Sequence, residues 1–301
     1  MSKKKSYLII IFLTLSILFC WYFFIKENDY VITFKVKTAT GTVFQGVEEW
    51  AKMRKKTNNE DYKILQKKKY EVMKLSFANT NYNWRISSLN DSVTIIKVGI
   101  TDLNNSFYNR ISIPFFNTKF KQEQLNNITS FKTGLEQHLK NFKVQKVQKG
   151  KNEAVFVAYV KLKSVMQEKA QNMIMDDSKI TGFLYNKNIK IIGKPYIEVT
   201  YWNLETEQLE FNYCFPINKT KSLIDTELVK FKTIPSKKGL TVSYFGNYRT
   251  SDRAWFAILD YAKNHNINLK YQPLEHFLAN PFNGGEELSW EAKIFIPFKT
   301  N

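Results

Sequence analysis

An uncharged and almost wholly apolar run near the start of the chain constrains the fold most. Residues 7–25 span 19 positions and include no charged side chain. At 1.5 Å per residue, a helix of this length is about 28 Å long, close to the roughly 30 Å hydrocarbon core of a bilayer. The run therefore predicts a transmembrane helix.

The residues that flank this run predict its orientation. Lysines occupy positions 3–5, and little net charge follows the run, so the positive-inside rule places the N-terminus in the cytoplasm. We expect residues 1–27 to be a basic tip and anchor of a single-pass membrane protein, with the rest of the chain on the extracytoplasmic side. A cleaved signal peptide is an alternative, which the missing small-residue cleavage pattern and the length of the run disfavour. Lipidation of Cys20 is a second alternative, but the bulky Phe19 before it disfavours this modification.

Composition excludes several classes of protein. The chain has 301 residues, of which 44% are hydrophobic and 15% aromatic. This composition excludes a disordered chain, and the length suggests two folded domains or one large one. Its two cysteines, Cys20 and Cys214, exclude a disulfide scaffold. The three histidines are too scattered for a metal centre, and nothing in the sequence indicates a cofactor.

A strong positive charge raises the question of an anionic partner. The formal net charge is +18, a field that favours nucleic acid or anionic lipid. The lysines, however, are spread along the chain, and neither zinc-finger spacing nor a glycine-rich RNA-binding signature occurs. We therefore expect no nucleic-acid partner. A lysine-rich genomic composition explains the charge, and attraction to an anionic membrane surface is the alternative.

Residues 28–145 form the first predicted domain. Apolar and polar residues alternate from Tyr30 to Val36, which predicts a half-buried strand, and a helical pattern follows. The closing helix is predicted over 121–142 from its apolar stripe, and Gly134 within it suggests close packing at that point. Further strands are predicted between these helices, at 69–78, 82–89, 92–101 and 106–115.

This order of elements resembles the START/Bet v 1-like, or polyketide-cyclase-like, helix-grip fold. In that fold a closing helix packs across a curved antiparallel sheet, and an apolar ligand cavity lies between them. The helix after the first strand often carries a tryptophan in that family, and Trp50 stands in such a helix here. The alternative is that Trp50 simply fills the core.

The second half, residues 153–301, follows a polar linker predicted at 146–152. A strand, a helix over 163–186 and a hairpin are predicted first. Two strands, a helix over 250–264 and a final strand at 290–298 follow. Two units of similar size and order suggest an internal duplication and an α+β fold.

Several short segments of this half match a known family in order and spacing. Residues 244–248, Tyr-Phe-Gly-Asn-Tyr, precede a helix that carries Trp255. Pro-Leu-Glu-His-Phe at 273–277 is followed by Asn-Pro at 280–281, and Ala-Lys-Ile-Phe-Ile-Pro at 292–297 ends the pattern. Together they resemble the GyrI-like domain, also called the AraC-type effector-binding domain.

The resemblance implies two pseudo-symmetric units with a groove for small hydrophobic or cationic molecules. It implies that a buried carboxylate meets the ligand charge, and by motif position this acid is Glu275. The neighbouring aromatic residues Tyr244, Trp255 and Tyr213 are expected to form the wall, since ring faces attract cations. The alternatives are a solvated or capping role for Glu275 and core packing for the three rings.

Three hypotheses of function follow. The first is a membrane-anchored protein that binds a small hydrophobic or cationic molecule. The second is a hydrolase of strained electrophilic compounds, an activity found in some GyrI-like proteins, with Glu275 as the acid and Tyr244 or Tyr213 orienting the substrate. The third is an envelope scaffold, which predicts bulky side chains in each cavity and an exposed Glu275.

Overall fold

The structure, a computed structural model, describes residues 3–220 and 223–299. It is α+β with antiparallel sheets, as the sequence predicts. The helices are α1 (Lys3–Cys20), α2 (Thr40–Asn58), α3 (Ser106–Ser112), α4 (Lys119–His138), α5 (Lys169–Asn186) and α6 (Asp252–Asn264). The strands are β1 (Tyr30–Val36), β2 (Tyr62–Lys68), β3 (Val72–Phe77), β4 (Thr80–Asn90), β5 (Val93–Asp102), β6 (Phe142–Val144), β7 (Gln148–Lys151), β8 (Val155–Val165), β9 (Tyr196–Trp202), β10 (Gln208–Pro216), β11 (Lys230–Ile234), β12 (Lys238–Gly246), β13 (Leu274–Phe277) and β14 (Glu291–Pro297).

The N-terminal helix differs from its prediction. Three of the 18 residues of α1 are lysines, so 15 remain for its uncharged part, which is about 22 Å long. The apolar residues Trp21–Ile25 continue the chain as a π-helix. Across residues 3–220 and 223–299, none of the helices combines the length and the apolar character that a membrane span needs. The predicted transmembrane helix, the membrane localisation and the single-pass orientation are therefore wrong.

The chain divides into two compact units. The first comprises residues up to 36, 44–87 and 95–133, and the second comprises 37–43, 88–94 and the chain from 134 onward. The predicted domain boundary at 145 stays a prediction, but the predicted linker at 146–152 contains strand β7.

The first unit is built on a five-stranded sheet in the order β1-β5-β4-β3-β2. Trp50 on α2 packs edge-on against the rings of Phe77, Tyr82 and Trp84, with centroids 5.3–5.4 Å away. Phe131 on α4 lies 6.2 Å from the same ring. Trp50 thus belongs to an aromatic core, and membership of the helix-grip family stays a prediction.

Two sequence expectations for this half of the chain are wrong. Residues 106–115 were expected as a strand, whereas 106–112 form helix α3, whose Phe107 and Ile111 are exposed. Strand propensity was overridden there by the buried Arg110, whose Nε donates to Asp29 at 3.0 Å. Gly134 does not mark close packing, because no heavy atom beyond its chain neighbours and the backbone of its own helix lies within 4 Å of a Cβ built on it.

The strand order of the second unit has two matching parts. The strands of its nine-stranded sheet lie in the order β11-β8-β10-β9-β13-β14-β12-β6, and β7 pairs with β12 beside this row. In one part, β10 lies between β8 and β9; in the other, β14 lies between β12 and β13. β9 pairs antiparallel with β13 at the centre, and α5 and α6 occupy equivalent places after β8 and β12.

The two parts also exchange strands at their outer edges. β7 precedes β8 in the chain but pairs with β12, while β11 precedes β12 but pairs with β8. The two short connections meet at Asn152. Its side chain donates to the carbonyl of Pro235 at 2.9 Å and accepts from the backbone N–H of Lys237 at 2.8 Å.

Helix α5 begins later than the sequence predicts. The β8–β10 ladder continues to the pair Val165 and Gln208, so strand geometry occupies the first residues of the predicted 163–186 helix. A 3₁₀ turn over Met166–Glu168 follows, and Lys169 becomes the first residue of α5. This shift determines where the Lys169 side chain enters the second unit.

Candidate functional site

The site is centred on the carboxylate of Glu275, in the short strand β13. That strand is hydrogen-bonded to β9 on one side and β14 on the other. Side chains alternate across a strand, so Glu275 and His276 point to opposite faces of the sheet. Glu275 is completely buried and lies against the first turns of α5 and α6. A buried carboxylate needs hydrogen bonds and a compensating charge.

Lys169 supplies that charge. Its Nζ donates to both carboxylate oxygens of Glu275 at 2.9 Å each and to Ser251 Oγ at 2.7 Å. Its side chain is 1% exposed. An ammonium has three N–H donors, and here all three have an acceptor. The pair is therefore electrically balanced and fully hydrogen-bonded without contact with water.

Trp255 on α6 completes the cluster in two ways. Its indole Nε1 donates to Oε1 of Glu275, and the face of its ring lies 4.8 Å from the Lys169 ammonium. The same side chain therefore stabilises the anion through its N–H and the cation through its ring. Trp202 packs on Trp255 in a T-shaped arrangement, with ring centroids 5.0 Å apart, and helps to fix its orientation.

Ser251, just before α6, links the charges to the backbone. Its Oγ lies 3.1 and 3.2 Å from the two oxygens of Glu275 and 3.0 Å from the carbonyl oxygen of Tyr248. Because it also accepts from Lys169, the hydroxyl joins the anion, the cation and the turn at Tyr248–Thr250. Lys169, Glu275, Ser251 and Trp255 are called the Glu275 cluster below.

The structure brings together two of the four predicted site residues. Glu275 and Trp255 are hydrogen-bonded, as described. Tyr244 is buried in β12, where its hydroxyl donates to the carbonyl of Asn247 at 2.9 Å and lies 2.7 Å from Thr250 Oγ1. Burial raises the pKa of Tyr244 well above its usual range. A ligand-binding role for each remains a prediction.

Tyr213 lies in a different group of side chains. Its hydroxyl donates to Oδ1 of Asp177 on α5 at 2.7 Å. Its ring packs in a core with Ile180 and Leu184 of the same helix. Burial, and next the Asp177 carboxylate, raise the pKa of Tyr213. Tyr213 is therefore tied to α5 by contacts that include no member of the Glu275 cluster.

Sequence reasoning did not identify Lys169 or Ser251. One signal was present, because Lys169 stands three residues after Met166 and immediately before Ala170, so in the predicted 163–186 helix it lies next to these apolar residues on one face. A lysine on the buried stripe of a helix requires an acid opposite. Ser251 gave no comparable signal, since a serine before a helix is explained by capping alone.

The geometry also bears on the alternative hypotheses. The scaffold hypothesis expected an exposed Glu275, and the residue is completely buried. The hydrolase hypothesis needs a carboxyl that gives a proton to a substrate or activates water. Both oxygens of Glu275 are instead engaged by N–H and O–H donors from three side chains. Any such chemistry would first have to displace these partners.

A cavity of about 510 Å³ lies elsewhere in the second unit. Its wall includes Leu139, Phe142, Val144, Arg253 and Tyr261, and Glu275 does not line it. The Glu275 carboxylate, which was predicted to meet the ligand, and this cavity therefore lie at different places in the second unit.

Comparison with known proteins gives only distant likenesses. No family model matches the sequence. A search of curated proteins finds no match. The EcmrR C-terminal domain has a TM-score of 0.43 at 12% identity, over 52% of this chain and 98% of that chain.

Two further solved structures are similar over about the same share. A hydrolase from Listeria innocua has a TM-score of 0.34 at 9% identity, over 51% of this chain and 92% of that chain. SAV2435 bound to tetraphenylphosphonium has a TM-score of 0.37 at 11% identity, over 52% and 94%. Likenesses at this level show neither a family nor a function, so membership of the GyrI-like family remains a prediction.

Proposed function

We propose that the second half of the chain binds a small organic cation at the carboxylate of Glu275, with the indole of Trp255 as the apolar face of the site. One observation carries this proposal: the cluster already holds an ammonium ion, that of Lys169. Carboxylate, hydroxyl and ring face are therefore arranged to accept a cation without rearrangement of these groups.

The electrostatics favour exchange of one cation for another. A lone carboxylate in a buried site costs several kcal/mol, so Glu275 needs a positive partner whenever it is ionised. In the described structure Lys169 is that partner. A ligand cation that takes its place leaves the charge of the site unchanged, while the Lys169 ammonium moves to water, where it is well solvated. Cations are thereby favoured over neutral molecules of the same shape.

Thermal unfolding of the full-length chain tests the proposal. We expect butylammonium to raise the melting temperature progressively with concentration and 1-butanol to leave it unchanged, because only a ligand that binds the folded state stabilises it. Glu275→Gln is expected to abolish the rise. Trp255→Phe keeps a ring but loses the indole N–H, and it is expected to reduce the rise.

Glu210→Gln is the matched control, because this acid lies on β10 with a half-exposed side chain and pairs with Lys163 at 2.7 Å. It should respond to butylammonium as the wild type does. If Glu275→Gln does not fold, Trp255→Phe decides the matter. Equal stabilisation by amine and alcohol, or loss of the response in the control, would overturn the proposal.

A further inference from the structure

We infer that Lys169 is a built-in ligand of the Glu275 cluster and that the site selects primary ammonium ions on an unbranched stem. This inference rests on the proposed function and specifies it. It states which cations fit and what competes with them.

The acceptors around the nitrogen indicate the class of ligand. Three oxygen atoms, two from Glu275 and one from Ser251, lie within 2.9 Å of Lys169 Nζ. A primary ammonium offers three N–H groups to such a set. A quaternary ammonium or a phosphonium offers none, and it would leave the buried hydroxyl and carboxylate without donors. The ring of Trp255 attracts any cation and does not discriminate between them.

The shape of the site is that of a lysine side chain. Lys169 and Glu275 are 1% and 0% exposed, so the methylene stem is enclosed as well as the ammonium. A branched stem of the same length would need space that the buried neighbours occupy, and closely packed interiors do not supply it without cost. Linear alkylammonium ions are therefore expected to fit better than branched isomers.

The position of Lys169 in its helix indicates why it is there. It is the first residue of α5, whose first turn has no acidic residue. The N-terminus of a helix carries partial positive charge and disfavours a cation. The helix thus does not stabilise this ammonium; the Glu275 cluster does.

A lysine side chain that already fills the site has a measurable effect on the binding of added cations. The apparent affinity for an added cation falls in proportion to the fraction of molecules whose site is free. A lysine that fills the site about nine-tenths of the time therefore weakens external binding about tenfold. Shortening Lys169 should remove the competitor and at the same time leave a space of known shape.

Chemical rescue of the full-length Lys169→Ala variant tests the inference. This change removes three methylenes and the ammonium, which propylammonium replaces. We expect propylammonium to raise the melting temperature of the variant in a saturable way and to bind it at least about tenfold more tightly than it binds the wild type. Propyltrimethylammonium, isopropylammonium and 1-propanol should have much smaller effects.

Lys179→Ala is the matched control, because this lysine lies on the same helix, is 58% exposed and pairs with Asp176. It should behave as the wild type does. If Lys169→Ala is unfolded alone, recovery of folded protein in propylammonium is the same result in another form. Absence of any rescue would overturn the inference, and rescue of equal size by propyltrimethylammonium would overturn the selectivity.

The two proposals can fail separately. Rescue of Lys169→Ala together with no amine response of the wild type would retain the built-in ligand and reject binding of external cations. A response of the wild type to amines that Lys169→Ala does not strengthen would retain cation binding and reject Lys169 as its competitor.

Discussion

The imidazole of His276 lies flat against the phenol ring of Tyr196, with ring centroids 3.9 Å apart and planes inclined by 7°. The two residues face each other across the β13–β9 ladder, and Lys293 faces His276 from β14. Burial, and next the charge of Lys293, lower the pKa of His276 to about 4, while Glu153 acts weakly in the opposite direction. The histidine is therefore neutral at pH 7.

This arrangement predicts sensitivity to acid. The unfolded chain takes up a proton at this histidine near pH 6.5, whereas the folded chain does so only near pH 4. The unfolded state thus binds more protons between these values, and stability is lost as pH falls through that window. His276→Phe keeps a stacked ring but has no group that titrates. We expect its free energy of unfolding to fall less than that of the wild type when the pH is lowered through this window. Urea unfolding at several pH values measures this, and parallel losses in both proteins would contradict it.

Lys169 and Glu275 should be strongly coupled in stability. Removing one partner of a buried pair leaves an uncompensated charge, so Lys169→Met and Glu275→Gln are each expected to cost about 3–5 kcal/mol. The double variant should lose at least about 2 kcal/mol less than the two single losses together. Denaturant unfolding of all four proteins measures the coupling. The exposed pair of Lys163 and Glu210 is the control and should show little coupling; additive losses at Lys169 and Glu275 would reject the prediction.

Two glycines should respond to alanine in opposite directions. Gly246 has φ of +145°, and a Cβ there would lie 2.7 Å from the hydroxyl of Tyr244 and 2.8 Å from Cβ of Phe142. Gly246→Ala is therefore expected to cost about 1–3 kcal/mol. Gly134 is exposed in α4 and has open space around it, so Gly134→Ala should gain about 0.5–1 kcal/mol. The melting temperatures of the two variants measure these changes, and shifts of the same sign in both variants would contradict the prediction.

Arg110 should be essential for the first unit. Its Nε donates to the fully buried Asp29, and its Nη1 donates to the carbonyls of Tyr22 and Phe23 at 3.0 and 2.9 Å. Arg110→Met leaves a buried carboxylate without its cation, at an expected cost of about 3–5 kcal/mol. Arg85→Met, at a 58% exposed arginine, is the control with little expected effect. Thermal unfolding and limited proteolysis near residue 25 report the difference.

Regular patterns made much of the secondary structure predictable. Alternation gave β1 and the hairpin of β9 and β10, and a period near 3.6 gave α4 and α6. The four-residue strand β13 was missed, because it is too short to show alternation and exists through pairing with β9 and β14. The predicted strand at 106–115 was wrong for the related reason that a tertiary contact, between Arg110 and Asp29, decides its conformation.

The candidate site was predictable only in part. Glu275 and Trp255 were selected from the spacing of short segments, and the structure places them in one cluster. Lys169 comes from a helix more than a hundred positions earlier, and no local pattern pairs it with Glu275. The transmembrane helix was wrongly predicted because apolar residues were counted without regard to where the regular α-helix ends, at Cys20.

The crossed connections at Asn152 have a consequence for how this half of the chain folds. Each part of the sheet ends on a strand that belongs, by chain order, to the other part. Neither part can pair its outer edge until the strand from the other part is in place, so we expect both parts to fold in a single cooperative step. Such pairings join residues distant in sequence, and they close slowly. A chain cut between the two parts would therefore leave each fragment with an unprotected sheet edge, open to pairing with other chains.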